Sequence, residues 1–209
     1  MEQADTAERE IIYVGDPMCS WCWGVAPELD TLVERHPELP LRIVVGGLRP
    51  GPVAQTVDER FAGYLARHWE AVERRSGQPF DASLLDRQGW LYDTEPACRA
   101  VVVMRELAPE NTFAFFKRLQ RAFYAEGVIL SEDAPFRSLV AEFDVDAEEF
   151  MRIFTSEEAV KSTWKDFSLA RSWGINGFPT ILVRSGDTAS VIARGYTSAH
   201  DMEARLRIA

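Results

Sequence analysis

The sequence predicts an α/β fold in which a sheet is interrupted by a large all-helical insertion. Three observations carry this expectation. A strand, helix, strand pattern runs from Glu10 to Gly47; helical periodicity is almost unbroken from Pro50 to Trp173; two β-rich runs and a short amphipathic stretch close the chain.

The run "EIIYVG", Glu10 to Gly15, is short, β-branched and aromatic, and it stops at a glycine, as a buried strand does. Beyond it, Val25, Ala26, Leu29, Leu32 and Val33 fall on one helical stripe, with Glu28, Asp30, Glu34 and Arg35 facing away. Pro37 and Pro40 stop that helix. "LRIVVGG", Leu41 to Gly47, reads as a second strand, parallel to the first.

In the insertion, Phe61, Tyr64, Leu65, Trp69 and Val72 repeat at helical spacing, as do Ala97, Val101, Met104 and Leu107. The triplet Val101 to Val103 suits a strand as well as a helix. Phe113, Phe116, Leu119 and Phe123 mark another helix that closes near Gly127. Further starts fall at Ser131, at Asp146 with Glu149 three residues on, and at Thr155 with Glu158 three residues on, the last two with capping-box spacing. "PTILVRSGDTASVIARGY" reads as a hairpin turning at Gly186 and Asp187, after which Ser198 or His200 opens a final helix ending near Ile208. This order is that of a thioredoxin-type sheet: residues 10–49 and 174–209 form a thioredoxin-like domain, and residues 50–173 an inserted helical domain.

Composition excludes several function classes. With 46% hydrophobic residues in 209, the chain can bury a sizeable core. A formal net charge of -10 offers no basic surface for a phosphate backbone, so nucleic acid is not an expected partner. The opening "MEQADTAERE" is polar and acid-rich, where an export signal needs an apolar stretch of roughly 7 to 15 residues. Nor does any later segment offer the roughly 18 apolar residues of a membrane span. The expectation is a cytoplasmic protein without a membrane partner.

Three cysteines are too few for a disulfide framework, and in a reducing compartment a close pair is more often catalytic or metal-binding than a staple. Cys19 and Cys22 lie in "GDPMCSWCWGVAP", where the first strand ends and the helix begins. Helix positions i and i+3 have Cβ atoms about 5 to 6 Å apart, so the two sulfurs can bond and part without moving the fold. Cys19, at the helix amino terminus, meets free N–H groups and the positive end of the dipole, which stabilise a thiolate and make it the expected nucleophile. Cys22, one turn inside, would attack the mixed disulfide and release the substrate. Half of a zinc site has the same spacing, but only Cys98, His36, His68 and His200 could complete one and none is spaced to help, so no metal is expected.

Cys98, in "EPACRAVVVM", reads as a buried small hydrophobe, the alternative being a third redox thiol. Trp21, between the cysteines, is placed to contact a peptide substrate, and Trp23 either does the same or joins the core. In "GINGFPTILV", Pro179 starts a strand, and the Phe178–Pro179 peptide bond is expected to be cis, beside Cys19, with the Phe178 backbone free to pair with an extended substrate.

These residues resemble the DsbA-related thioredoxin-fold family, in particular its cytoplasmic branch, through "DPMCSWCWG" and "GFPT". "VVGGLRPG", "TEPACRAV", "AFYAEG" and "SEDAPFRSLVAEFDVD" extend the resemblance over nearly the whole chain. It implies thiol–disulfide oxidoreductase or isomerase activity, with Cys19 attacking, Cys22 resolving, Pro179 as the cis-proline, and Asp16, Pro17 and Ser20 in support. Thiol- or disulfide-bearing proteins are the implied partners, with glutathione as a possible co-substrate and no cofactor beyond the Cys19–Cys22 disulfide. In DsbA proper a histidine stands where this chain has Trp21, so a weaker oxidant is expected. The buried acid of thioredoxins falls at Tyr13, which leaves the proton acceptor for Cys22 to Asp16 or a water.

Two other readings share the scaffold, since one fold hosts many activities. One is a glutathione-dependent isomerase or transferase of the kappa-class or 2-hydroxychromene-2-carboxylate isomerase type, which usually has serine in place of Cys19 and whose glutathione motif would fall near "GYTSAHD". The other is a non-catalytic protein-binding adaptor.

Overall fold

The structure, a computed structural model, describes residues 9–209. Strand β1 (Arg9–Gly15) leads into helix α1 (Ser20–Arg35) and strand β2 (Leu41–Val45). The chain closes with β5 (Thr180–Ser185), β6 (Thr188–Arg194) and α8 (Ala199–Leu206). These strands form one sheet in the order β2-β1-β5-β6, with β1 and β2 parallel and the other pairs antiparallel. Alternation decides the two faces. Ile11, Tyr13, Ile43, Val45, Ile181 and Val183 enter the main core, while Ile12, Val14, Val44 and Leu182 pack against Ala170 and Ile175 on the other side.

Between β2 and β5 lie β3 (Gln55–Thr56), α2 (Glu59–Ser76), β4 (Leu91–Tyr92), α3 (Glu95–Leu107), α4 (Thr112–Ala125), α5 (Ala134–Val140), α6 (Ala147–Phe154) and α7 (Glu157–Ser172). The expectation of helices throughout this region misses the antiparallel pair β3–β4, whose two-residue strands are too short to show alternation. The ambiguous Val101–Val103 is helical, buried within α3.

Helix boundaries follow the chemistry of the caps. Asp146 accepts from the Glu148 and Glu149 amides at the start of α6, as its spacing predicts. The cap expected at Thr155 falls instead on Ser156, which accepts from the Ala159 amide, because Thr155 bonds back to the Met151 carbonyl and closes α6. The start expected at Ser131 moves to Ala134, with Pro135 in the first turn. Of the two starts considered for the last helix, Ser198 is the cap, accepting from Asp201. Strand β2 ends two residues before the expected Gly47, since Gly47 turns the chain away at φ +69°.

An edge strand leaves unpaired backbone groups, and on β2 the insertion satisfies two of them. Asp166 of α7 accepts from the Val45 amide (3.1 Å), Arg105 of α3 donates to the Ile43 carbonyl (2.7 Å), and the two side chains pair at 2.8 and 3.1 Å. Asp166→Ala leaves both Arg105 and the Val45 amide without that partner, and the expected loss is on the order of 3 kcal/mol. Urea unfolding followed by tryptophan fluorescence measures it, with an unchanged m-value marking a loss of stability rather than of compactness.

Candidate active site

The chain leaves β1 at Gly15 and turns through Asp16, Pro17 and Met18 into α1. The Cys19 amide donates to the Asp16 carbonyl (3.0 Å) and closes that turn. Cys19 is the N-cap residue of α1, in extended conformation, so its sulfur sits where the helix presents its free amides. Its Sγ lies 3.6 Å from the Phe178 carbonyl oxygen, and the Phe178–Pro179 peptide bond is cis. The structure thus brings Cys19, Phe178 and Pro179 together across 159 residues of chain.

Cys22 lies one turn into α1 and is fully buried. Burial pushes its thiol well above the ordinary range, against the opposing pull of the Tyr13 hydroxyl and the Asp16 backbone. Tyr13 occupies the strand position beneath the cysteines, where a thioredoxin would carry an acid. Its ring fits because Gly15 has no side chain: a Cβ there would meet the Tyr13 hydroxyl at 2.7 Å.

Asp16, considered at the sequence level as a proton acceptor, has a different set of partners. It is fully buried, and its carboxylate accepts from the Met18 amide (2.8 Å), the Leu48 amide (2.7 Å) and the Cys98 thiol (3.4 Å). Cys98 is buried as expected, but it is a hydrogen-bonding group and not merely a small hydrophobe. Nothing in its apolar helical context signals this, because Asp16 is 82 residues away.

Cys19, Ser20, Trp21, Leu48, Arg49, Tyr64, Leu65, His68, Trp69, Tyr92 and Phe178 line one cleft of about 260 Å³. Trp21 is half-buried and meets Tyr196 edge-on at 6.5 Å. Glu28, expected on the solvent side of α1, instead accepts from the Tyr196 hydroxyl (3.0 Å) and the Ala199 amide (2.8 Å), tying α8 to this wall. Trp23 belongs to the core: it stacks on Tyr124 at 6.3 Å and donates to the Pro79 carbonyl (3.0 Å). Pro17 is buried in the turn, while Ser20 opens α1 at the cleft.

Sequence reasoning misses the opposite wall. Tyr92, delivered by the β3–β4 pair, donates to the Met18 carbonyl. Arg49 is clamped through its backbone, its amide donating to Thr94 Oγ1 (3.1 Å) and its carbonyl accepting from the Thr94 amide (3.2 Å). The Arg49 guanidinium donates to Gln55 (3.2 Å) and lies 4.9 Å over the Phe61 ring; among the described residues it has no carboxylate partner. Also among the described residues, no three His, Cys, Asp or Glu side chains converge as a metal site, and no helix is long and apolar enough to cross a membrane.

Residues 10–207 match the model of the DSBA-like thioredoxin domain family. The structure is similar to a candidate protein disulfide isomerase from Nitrosomonas europaea, at 33% identity and a TM-score of 0.89, over 96% of this chain and 97% of that one. It is also similar to the cytosolic disulfide reductase DsbM from Pseudomonas aeruginosa, at 27% identity and a TM-score of 0.80, over 96% of this chain and 100% of that one. DsbM has also been solved with GSH, and that structure matches at 26% identity and a TM-score of 0.78, over 95% of this chain and 98% of that one. Among curated proteins, the ClpXP adapter protein SpxH of Bacillus licheniformis is 26% identical over 82% of this chain, which spans 56% of that protein's length.

Burial raises the Cys22 and Cys98 thiols in the folded state. The unfolded chain therefore loses these protons first, and stability falls as pH rises above about 8.5, by up to about 1.4 kcal/mol per pH unit for each thiol. Urea titrations of the reduced protein on the alkaline side measure this slope, and Cys98→Val makes it shallower by about one such increment.

Proposed function

Because the chain belongs to the DSBA-like thioredoxin domain family, we propose that it is a thiol–disulfide oxidoreductase that works through Cys19 and Cys22 in the direction of disulfide reduction. The observation that carries this reading is the asymmetry of the pair. Both are buried, but Cys19, 5% exposed, lines the cleft at the start of α1, whereas Cys22, at 0%, is fully enclosed behind it.

The Cys19 thiolate attacks one sulfur of the substrate disulfide. A Cys19–substrate disulfide forms, and the other substrate sulfur leaves as a thiolate that takes up a proton. Cys22 then loses its proton and attacks the Cys19 sulfur, which creates the Cys19–Cys22 disulfide and releases the second substrate thiol. Two electrons have passed to the substrate. Two thiol molecules restore the dithiol by the reverse exchange and become a disulfide. The reducing direction is supported by the likeness to the cytosolic disulfide reductase DsbM.

Glutathione is the thiol donor we infer. Its support is the DsbM structure with GSH together with the cleft itself, where the clamped Arg49 offers a cation without a carboxylate partner among the described residues. Arg49→Gln is expected to raise KM for glutathione roughly tenfold, the size of a lost charge-assisted hydrogen bond, with little change for neutral 2-mercaptoethanol. Steady-state kinetics with the two thiols separate these outcomes, and equal effects on both remove Arg49 from substrate recognition.

For the central reading, Cys19→Ser is expected to abolish reduction of a disulfide-bonded protein. Cys22→Ser is expected to accumulate a mixed disulfide visible by mass spectrometry. Undiminished reduction by Cys19→Ser overturns the mechanism. A stable protein complex that survives loss of both cysteines would favour an adaptor instead, and turnover of a substrate without a disulfide by the Cys22→Ser protein would favour a glutathione-dependent isomerase.

A further inference from the structure

The turn that presents Cys19 and the loop that forms the facing wall of the cleft share one anchor, and it is a buried carboxylate. Asp16 Oδ1 holds the Met18 amide, one residue before Cys19, and Asp16 Oδ2 holds the Leu48 amide, next to Arg49 in the opposite wall. Asp16 Oδ2 also accepts from the Cys98 thiol of α3, so one side chain joins the β1–α1 turn, the loop after β2 and the insertion. We propose that Asp16 is a positioning residue for thiol–disulfide exchange, and that the Cys98 S–H donor keeps its carboxylate bridging the two walls. The inference rests on the oxidoreductase reading for its functional meaning but on these contacts for its geometry.

The chemistry of a buried acid makes the third donor matter. An ionised carboxylate accepts strongly on both oxygens, whereas a protonated one turns one oxygen into a donor and a weaker acceptor, which loosens the amide bond on that side. Burial pushes the Asp16 carboxyl up; the Leu48 and Met18 amides, the Thr94 hydroxyl and the Cys98 thiol pull it back. Removing one donor therefore moves protonation toward neutral pH and opens the bridge under conditions where the intact protein keeps it closed. The other titratable groups around the pair are Glu95 of α3, Tyr13 of β1, Tyr92 of β4, Tyr124 of α4, and the thiols of Cys19 and Cys22, with Arg49 beyond Tyr92. The tyrosines are pushed upward by burial, so they stay neutral over the range that matters.

The test compares Cys98→Ala, which lacks the donor, with Cys98→Ser, which restores one, each with Asp16 intact and with Asp16→Asn. The readouts are the rate of Cys19 alkylation by iodoacetamide and the rate of reduction of hydroxyethyl disulfide, a neutral substrate, from about pH 5.5 to about pH 8.5. With Asp16 intact, Cys98→Ala is expected to slow both reactions about tenfold on the acid side and little on the alkaline side, and Cys98→Ser to recover most of the loss. In the Asp16→Asn background the Cys98 substitutions should add nothing, the signature of two residues acting as one unit. Equal losses from Ala and Ser, or a Cys98→Ala loss that persists undiminished without the carboxylate, overturn the proposal and reduce Cys98 to packing. So does a lower urea midpoint unaccompanied by a change in pH profile. Alkylation needs no turnover, so an inactive wild type would overturn the oxidoreductase reading while leaving the positioning claim to its own result.

Discussion

The candidate site is built around one backbone hydrogen bond, from the Gly46 amide to the Gly15 carbonyl at 2.7 Å. It joins the carboxyl ends of the two parallel strands at a rung where neither residue has a side chain. A Cβ on Gly15 would lie 2.7 Å from the Tyr13 hydroxyl, and one on Gly46 would lie 2.1 Å from the Phe178 ring. The bare rung therefore lets the phenol sit beneath the cysteines and the Phe178 ring lie against the strand end. A side chain on either strand would push a ring aside and with it one boundary of the cleft.

From that rung outward, the insertion takes part in building the site. Aromatic contacts run without a break from α1 into the helical region: Trp23 stacks on Tyr124, Tyr124 meets Trp69 at 5.4 Å, and Tyr92 meets Phe123 at 5.7 Å. Tyr13 of β1 meets Phe116 of α4 edge-on at 5.3 Å within the same buried core. Such pairs add about 0.5–1.5 kcal/mol each beyond their burial, and their preferred edge-on geometry restricts how neighbouring rings can slide. The cleft wall formed by Tyr64, Leu65, His68 and Trp69 is thus held in place by the same contacts that hold the inserted helices against α1.

How much of this is legible in the sequence depends on the range of the interaction. The strand, helix, strand opening is readable because its apolar periods are local, and so are the Asp146 and Ser198 caps, which act within three residues. Cys19 and Cys22 stand out because their spacing carries a chemical meaning by itself. The β3–β4 pair is invisible for want of length, and the displacement of a cap from Thr155 to Ser156 reflects a competing bond to the preceding helix. The Asp16–Cys98 contact, the clamp on Arg49 and the turn of Glu28 toward Tyr196 join residues that only the tertiary fold makes neighbours. Glu28 is instructive here. Helical periodicity assigns it to solvent, but the segment between β6 and α8 supplies a phenol, and the start of α8 an unpaired helix amide, for its two oxygens.

The burial of Cys22 also bears on the order of the steps proposed above. A thiol without contact with water can be accommodated as a small hydrophobe, but its thiolate carries a desolvation cost that the Tyr13 hydroxyl and Asp16 backbone offset only in part. Cys22 therefore stays protonated while Cys19 is free. In the mechanism proposed above, the Cys19 sulfur becomes part of a neutral disulfide once it has joined the substrate, and the upward push that this neighbour exerts on the Cys22 thiol falls away. On that reading, capture eases resolution. On the same reading the mixed disulfide is the stage at which a proton leaves an enclosed site, where the Tyr13 hydroxyl and the Asp16 backbone bond the Cys22 sulfur. The carboxylate of Asp16 already has its oxygens engaged by the Met18 and Leu48 amides and the Cys98 thiol.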